Sequence, residues 1–273
     1  MKVLVTGHKG YIGGHLYRDL ISRGYEAVGI DLKDGEDIFH CLPDEKFDYV
    51  FHLAALPRVE YSVNNPSYTL KQNVWASSVL LEWAKNHNVK RLIFSSSSAV
   101  LGDGDGVPKS PYGLHKKMTE LECKLYSDLY GLDTVCLRYF NAYSEDQPFG
   151  GAYSTAICAW MEMISRELPL RLDGDGEQTR DFIHVKDIVS ANLFCMKFEG
   201  FFGGKTYEVG TGTSVSMNYI KNYIDSRHNV EWNHKPARKG DAKHTLANIS
   251  EITKDLNWRP SITIEKGLNR CFK

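Results

Sequence analysis

The chain holds 273 residues, 42% hydrophobic and 25% charged, and its 33 Lys+Arg balance 34 Asp+Glu to a formal charge of −1. Nothing in that balance points to nucleic acid or an anionic membrane as the main partner, because both demand a marked cationic excess. The length is ample for a full core, in one large domain or two small ones.

No apolar run approaches the ~18 residues of a membrane span, and strand-like sequence starts at Lys2, which leaves no room for a cleaved signal. The six cysteines (41, 123, 136, 158, 195 and 271) form no Cys-x-x-Cys pair and sit mostly in apolar segments. They read as buried thiols of a reducing, cytoplasmic compartment, not as a disulfide frame or a metal site.

In chain order, KVLVTG is a short apolar run ending at Gly7, after which Ile12, Leu16, Leu20 and Ile21 recur at helical spacing. Gly7-x-x-Gly10-x-x-Gly13 therefore lies at a strand-to-helix turn, where missing side chains let the backbone approach a pyrophosphate and the helix start offers free N–H groups. The next strand, EAVGID, ends at Asp31, whose carboxylate suits both ribose hydroxyls of an adenosine and repels a 2′-phosphate, favouring NAD over NADP. Asp37 and Ile38 suit either the adenine edge or a plain turn. FDYVFHLAA (47–55) is a third strand ending in small residues, and 71–87 reads as a helix with Asn73 near its start.

RLIFSSSS (91–98) is the next strand, Pro111 to about Tyr130 the next helix, and GLDTVCLRYFN (131–141) a further strand. Tyr112 and Lys116 lie four apart and share a helix face. A phenol with a pKa near ~10 is a poor base at neutral pH, and an ammonium beside it favours the anion and lowers that value. With a serine hydroxyl from the strand end to share the proton, the three groups suit oxidation or reduction of a carbinol carbon.

Alternating strands and helices of this size predict an α/β fold, a Rossmann-like doubly wound parallel sheet with its ligand at the carboxyl ends of the strands. Gly13, Asp31, Ala54–Ala55, Ser95–Ser98 and Asn141 all fall at those ends. Beyond residue 143 the pattern loosens. Residues 154–168 look helical, LPLRLDGDGEQTRDFIHVKD alternates strand and turn, a helix starts near Val185, TYEVGTG (206–212) looks like a buried strand, and a helix follows at about 216–227. The expected division is a dinucleotide-binding part, 1–143 with 186–212, and a smaller interleaved part, 144–185 with 213–273.

Over nearly its whole length the chain resembles the extended short-chain dehydrogenase/reductases that act on nucleotide sugars, most of all the UDP-hexose 4-epimerase branch. TGHKGYIGGHL, DYVFHLAA, QNVWASSVLLEWA, FSSSSAV, PYGLHKK, LRYFN, GDGEQTRDFIHVKD, YEVGTG, RKGD and LNWRPS carry the resemblance. It implies NAD, tightly bound and regenerated each turnover, held by Gly7, Gly10, Tyr11, Ile12, Gly13, Asp31, Asp37, Ile38, Leu53, Ala54, Ala55 and Asn73. It further implies Ser97 as the catalytic hydroxyl, Tyr112 as base and Lys116 as its tuning charge, the last two also touching the nicotinamide ribose.

For the nucleotide sugar the resemblance implies Asn141 against the diphosphate and Arg180 and Arg238 as its clamp. Ser98 and Ala99 stand where dehydratases place an Asp-Glu pair, which argues against elimination of water. Thr245 replaces a bulky tyrosine found in some relatives, and the short loop from Ser97 to Tyr112 leaves less wall, together suggesting a site roomy enough for 2-acetamido sugars. The 32–47 segment is shorter than usual. Relatives pair through helices matching 71–87 and 112–130, so a homodimer is expected. The alternatives are that Met118, Leu121, Leu125 and Leu129 face their own sheet, that the activity is an NAD(P)H-dependent keto-sugar reduction, or that the chain only binds NAD.

Overall fold

The computed structural model describes residues 1–150, 155–237 and 243–273. Six strands run parallel: β1 (Lys2–Thr6), β2 (Glu26–Ile30), β3 (Tyr49–His52), β4 (Arg91–Ser97), β5 (Thr134–Tyr139) and, from much later in the chain, one at Lys205–Val209. After β5 come β6 (Asn141–Tyr143), β7 (Leu170–Asp173), β8 (Thr179–Arg180) and β9 (Phe182–His184), so the late strand is β10. The sheet order is β10-β5-β4-β3-β1-β2. Val3, Leu4, Val5, Leu92 and Ile93 are fully buried, as near-continuous apolar strands covered on both faces must be. The chain leaves β1 towards β2 on one side and continues through β3 on the other, which opens a crevice above the β1–β3 junction.

Helices α1 (Tyr11–Ser22) and, after β9, a helix at Val185–Lys197 cover one face through Leu16, Leu20, Ile188 and Val189. The other face carries α2 (Ile38–Cys41), α3 (Val59–Asn64), α4 (Pro66–Leu70), α5 (Ala76–Asn86) and α6 (Pro111–Tyr130), with Leu80, Leu81 and Cys123 against the strands. Helix α6 starts as its sequence specifies. Ser110 accepts the Gly113 N–H, Pro111 takes the first position, and Gly131 closes the end in the left-handed region (φ 69°).

Two expectations on this face need correction. The helix expected at 71–87 begins at Pro66, and a π turn (Lys71–Trp75) joins α4 to α5, so Asn73 sits mid-helix. Helix α3 was not foreseen, because VEYSVN is too short to display an apolar period. On the β2 side the sheet stops one strand short of the usual dinucleotide-binding order. The brief 32–47 segment makes only a 3-10 turn (Leu32–Asp34) and the single turn α2 before β3.

A separate core of Tyr143, Trp160, Leu170, Ile220 and Leu268 is surrounded by α7 (Ala156–Ser165), β11 (Val215–Ser216), α9 (Met217–Asp225), β12 (Trp232–Lys235) and α11 (Ile264–Cys271), after the Val185–Lys197 helix, which is α8. α10 (Ser250–Leu256) instead joins α1 and α8 in the core of the main sheet through Ile252 and Leu256. β7 pairs with β12, β8 with β11 and β6 with β9. The sequence reading missed β12, α10 and α11. Each is held mainly by contacts distant in sequence, which no local pattern displays. Cys123, Cys136, Cys158 and Cys195 are buried thiols as expected, whereas Cys41 is exposed. Among the described residues no helix is long and apolar enough to cross a membrane.

Candidate active site

Gly7 has φ +77°, and a Cβ there would lie 2.7 Å from the Ala54 nitrogen; one on Gly13 would run into the Gly7 carbonyl. Strand, turn and helix can approach this closely only with glycine at both positions. Gly10 caps α1 without any side-chain hydrogen bond, so no cap side chain takes up the first-turn N–H groups that a helix start offers to an anion. At the end of β2, Asp31 accepts the Lys9 N–H (2.8 Å) on one carboxylate oxygen and the Lys33 N–H (2.9 Å) on the other, which fixes its plane.

Asp31, Asp37, Ile38, Ala54 and Ala55 line one small recess beside it. Asp37 is at the same time the cap of α2, accepting the Phe39 N–H at 3.1 Å. Leu53 and Ala54 are tied to β1 by hydrogen bonds to Thr6, and Asn73 clamps the next residue but one. Its Oδ1 accepts the Leu56 N–H (2.7 Å) while its Nδ2 donates to the Leu56 carbonyl (3.1 Å). Asn73 thus shapes the β3 exit loop, and the π turn is what aims it there. An uncapped helix start, a glycine cradle and an anchored carboxylate together fit an adenine dinucleotide.

Ser97, Tyr112 and Lys116 meet at the end of β4. Ser97 Oγ accepts the Ala99 N–H (3.2 Å), capping the 3-10 turn Ser98–Leu101, and its hydroxyl is near enough to the Tyr112 phenol to favour the anion. The Tyr112 N–H is bound by Ser62 of α3 (3.1 Å), and Gly113 lets α6 touch the Ala99 carbonyl, where a Cβ would not fit. Lys116 donates to the Ser95 carbonyl (2.7 Å), with its ammonium 4.7 Å from the Phe94 ring centroid and 5.9 Å from that of Tyr112. Ser62 and Gly113 escaped the sequence reading. The signal for Gly113 was its place directly after Tyr112.

The electrostatics correct one expectation. Burial pushes the Tyr112 phenol up to about 12, with the nearby Ser97 hydroxyl pulling the other way. Lys116 does not depress it. Only 3% exposed, Lys116 is itself pushed down to about 7 by burial, against the opposing pull of Glu120. Desolvation therefore outweighs the mutual effect of the two groups in the polypeptide.

On the far side of the crevice Asn141, Arg180 and Thr245 come together. Asn141 Nδ2 donates to the Asp181 carbonyl (3.1 Å) and to Thr245 Oγ1 (3.3 Å), and Arg180 reaches the Thr179 carbonyl (2.9 Å). The organiser here is Asp181, which the sequence reading did not single out. Its buried carboxylate accepts N–H groups of Thr211, Gly212 and Ala247 and the Thr211 hydroxyl. Burial raises its pKa, those bonds opposing. Arg238 lies outside the described residues. A separate cavity of about 830 Å³ runs between α1 and α8, lined by Arg18, Lys186, Leu193 and Phe194 among others, and shares no residue with this site.

Comparison with known proteins agrees with this geometry. Residues 3–210 match the profile of the NAD dependent epimerase/dehydratase family. A protein of Methanocaldococcus jannaschii described as a putative UDP-glucose 4-epimerase is 32% identical over 98% of this chain and 96% of its own length. Among solved structures, the UDP-N-acetylglucosamine 4-epimerase of Methanobrevibacter ruminantium, in complex with UDP-N-acetylmuramic acid, superposes with a TM-score of 0.91. It is 32% identical, over 99% of this chain and 96% of that one. The UDP-glucuronic acid 4-epimerase of Bacillus cereus, in complex with UDP-glucuronic acid and NAD, gives 0.88 at 28% identity, over 100% and 98% of the two chains.

Proposed function

The chain belongs to the NAD dependent epimerase/dehydratase family, and from that premise we propose that it inverts C4 of a UDP-linked hexose through a transient 4-keto sugar. The observation that carries the proposal is the meeting of Ser97, Tyr112 and Lys116 beside an uncapped glycine cradle. It is an NAD-dependent nucleotide-sugar epimerase.

In this reading Gly7, Gly10, Gly13 and Asp31 hold the dinucleotide, and Lys116 lies against its nicotinamide ribose. When bound, NAD supplies a reversible hydride acceptor. The Tyr112 oxygen takes the proton of the 4-hydroxyl and later returns it, Ser97 relays that proton, and Lys116 supplies positive charge to the phenolate. Asn141, Arg180 and Arg238 hold the diphosphate, about which the keto sugar turns its other face. For Tyr112 to act as base its proton must first leave for a group such as Lys116, a shift that burial makes uphill in the polypeptide alone, since it raises the phenol and lowers the amine.

Several finer points extend the proposal. Residues 1–143 with 186–212 bind the dinucleotide, and 144–185 with 213–273 the sugar nucleotide. Thr245 and the short loop before Tyr112 leave room for a 2-acetamido group. Leu121, Leu125 and Leu129 of α6 are 61, 51 and 63% exposed, pointing away from their own sheet, and support a homodimer through α4–α5 and α6. Four buried free thiols suit the cytoplasm.

The test is to incubate purified protein, with no cofactor added, with UDP-glucose, UDP-N-acetylglucosamine and UDP-glucuronate, and to follow C4 by NMR. Inversion without net nicotinamide reduction is expected, lost by a factor of about 10²–10⁴ in Tyr112→Phe. Turnover that requires added NADPH would overturn it in favour of a reductase.

A further inference from the structure

The serine run and α6 are joined at three successive levels. The Ser97 hydroxyl meets Tyr112, the Ser95 carbonyl accepts from Lys116 (2.7 Å), and the Ser96 hydroxyl donates to Glu120 Oε1 (2.6 Å). Tyr112, Lys116 and Glu120 are four residues apart and share one face of the helix. Glu120, 5% exposed, also receives both arms of the Arg138 guanidinium, at 2.8 Å each, and Lys117 stands 3.7 Å from its Oε2. A buried carboxylate is costly to remove from water, and here fixed partners offset that cost. The proton-transfer scheme above leaves it without a role.

We propose that Glu120 is a positioning residue of the reaction: it locks the Tyr112–Lys116–Glu120 face of α6 onto the end of β4 and provides the counter-charge for Lys116. This rests on the reading of Tyr112 and Lys116 as the proton-transfer pair.

The surroundings of Lys116 leave the carboxylate that role. Tyr112 and Cys123 face it from its own helix, Phe94 and the Ser95 carbonyl from β4, Cys136 from β5 and His52 from β3. The phenol and the Cys123 thiol are pushed up and the His52 imidazole down to about 3, so these three are neutral near pH 7. Among the described residues facing Lys116, Glu120 is therefore the carboxylate that can oppose the desolvation of the ammonium. Arg138, itself 4.0 Å from Glu208, moderates the field of Glu120 from the other side.

The signs follow. Removing the negative charge weakens proton binding by the Tyr112–Lys116 pair, so its titration moves to lower pH; removing Arg138 moves it to higher pH. The experiment measures kcat/KM against pH and, independently of turnover, the phenolate absorbance transition as a difference against Tyr112→Phe. Glu120→Gln is expected to shift both to lower pH by about one unit, and Glu120→Asp to bring them back towards the starting position. Arg138→Gln shifts them upward. Ser96→Ala, which leaves every charge in place, lowers kcat a few-fold with the titration unmoved.

If Glu120→Gln does not fold, Arg138→Gln decides alone. Charge variants that fold and lose rate, yet titrate where the unaltered protein does, overturn the inference and leave Glu120 a structural residue. An inactive Tyr112→Phe in the same experiment limits that failure to Glu120, whereas a fully active one removes the site reading as well.

Discussion

The two ends of β4 each bury a cation, and they treat it in opposite ways. At the amino end Arg91 is paired with Asp133 at 2.6 Å and donates to the carbonyls of Cys195, Phe198 and Gly200 at 2.6–2.7 Å. Asp133 also accepts the Phe202 and Gly203 N–H groups. At the carboxyl end Lys116 is bound by one carbonyl and two ring faces, and its charge is compensated only from a turn away. A guanidinium with every arm satisfied ties the end of α8 to the base of the sheet. An ammonium left short of partners has a proton that can leave, which a structural tie does not need and a proton-transfer site does.

Three substitutions test that contrast. Arg91→Met strands a buried carboxylate and is expected to cost about 3–5 kcal/mol of stability in urea unfolding. Turnover per folded molecule should be unchanged. If activity falls while stability holds, the division of labour between the two ends is wrong.

Lys116→Met should reverse the pattern, losing about 10²–10⁴-fold in activity while gaining stability. Its folded pKa is depressed from 10.5 to about 7. Between those values the unfolded chain binds the proton that the folded chain has released, so wild-type stability rises with pH across that window. The variant loses this slope. Its gain is therefore largest near pH 6, on the order of 5 kcal/mol, and fades as the pH passes 10. A variant less stable than wild type at every pH would show Lys116 to be a structural cation after all.

The smallest effect concerns His52, which bridges Thr6 (2.8 Å) and Ser77 (2.7 Å) beneath the same site. Burial lowers its pKa from 6.5 to about 3, so the unfolded state alone takes up a proton between those values and stability falls as pH falls through them. His52→Gln should flatten the acid side of the stability profile by about 1 kcal/mol per pH unit between pH 6 and 4. An unchanged acid slope would mean that the imidazole is not held neutral.

Much of the fold was legible because its signals are local. The run KVLVTG, the glycines after it, the terminal Asp31 and the boundaries of α6 at Pro111 and Gly131 are read within a few residues of themselves. The approach of Ser97, Tyr112 and Lys116 follows once strands and helices are known to alternate, whereas the strand order, with β10 added from much later in the chain, does not. Asn73 is expected as a cofactor contact, and the structure adds a role the sequence did not display, that of holding the Leu56 backbone. That role depends on a π turn, which leaves no mark in a pattern of apolar residues.

By itself the sequence determined the parallel α/β architecture and the residue types at the strand ends, because backbone propensity and apolar period act over short stretches. Only the tertiary structure decided how those residues behave. Burial raises Tyr112 and lowers Lys116, Asp181 gathers loops from three parts of the chain, and Glu120 sits between Ser96 and Arg138. Desolvation and charge pairing depend on what surrounds a group in space, and residues far apart in the chain supply those surroundings.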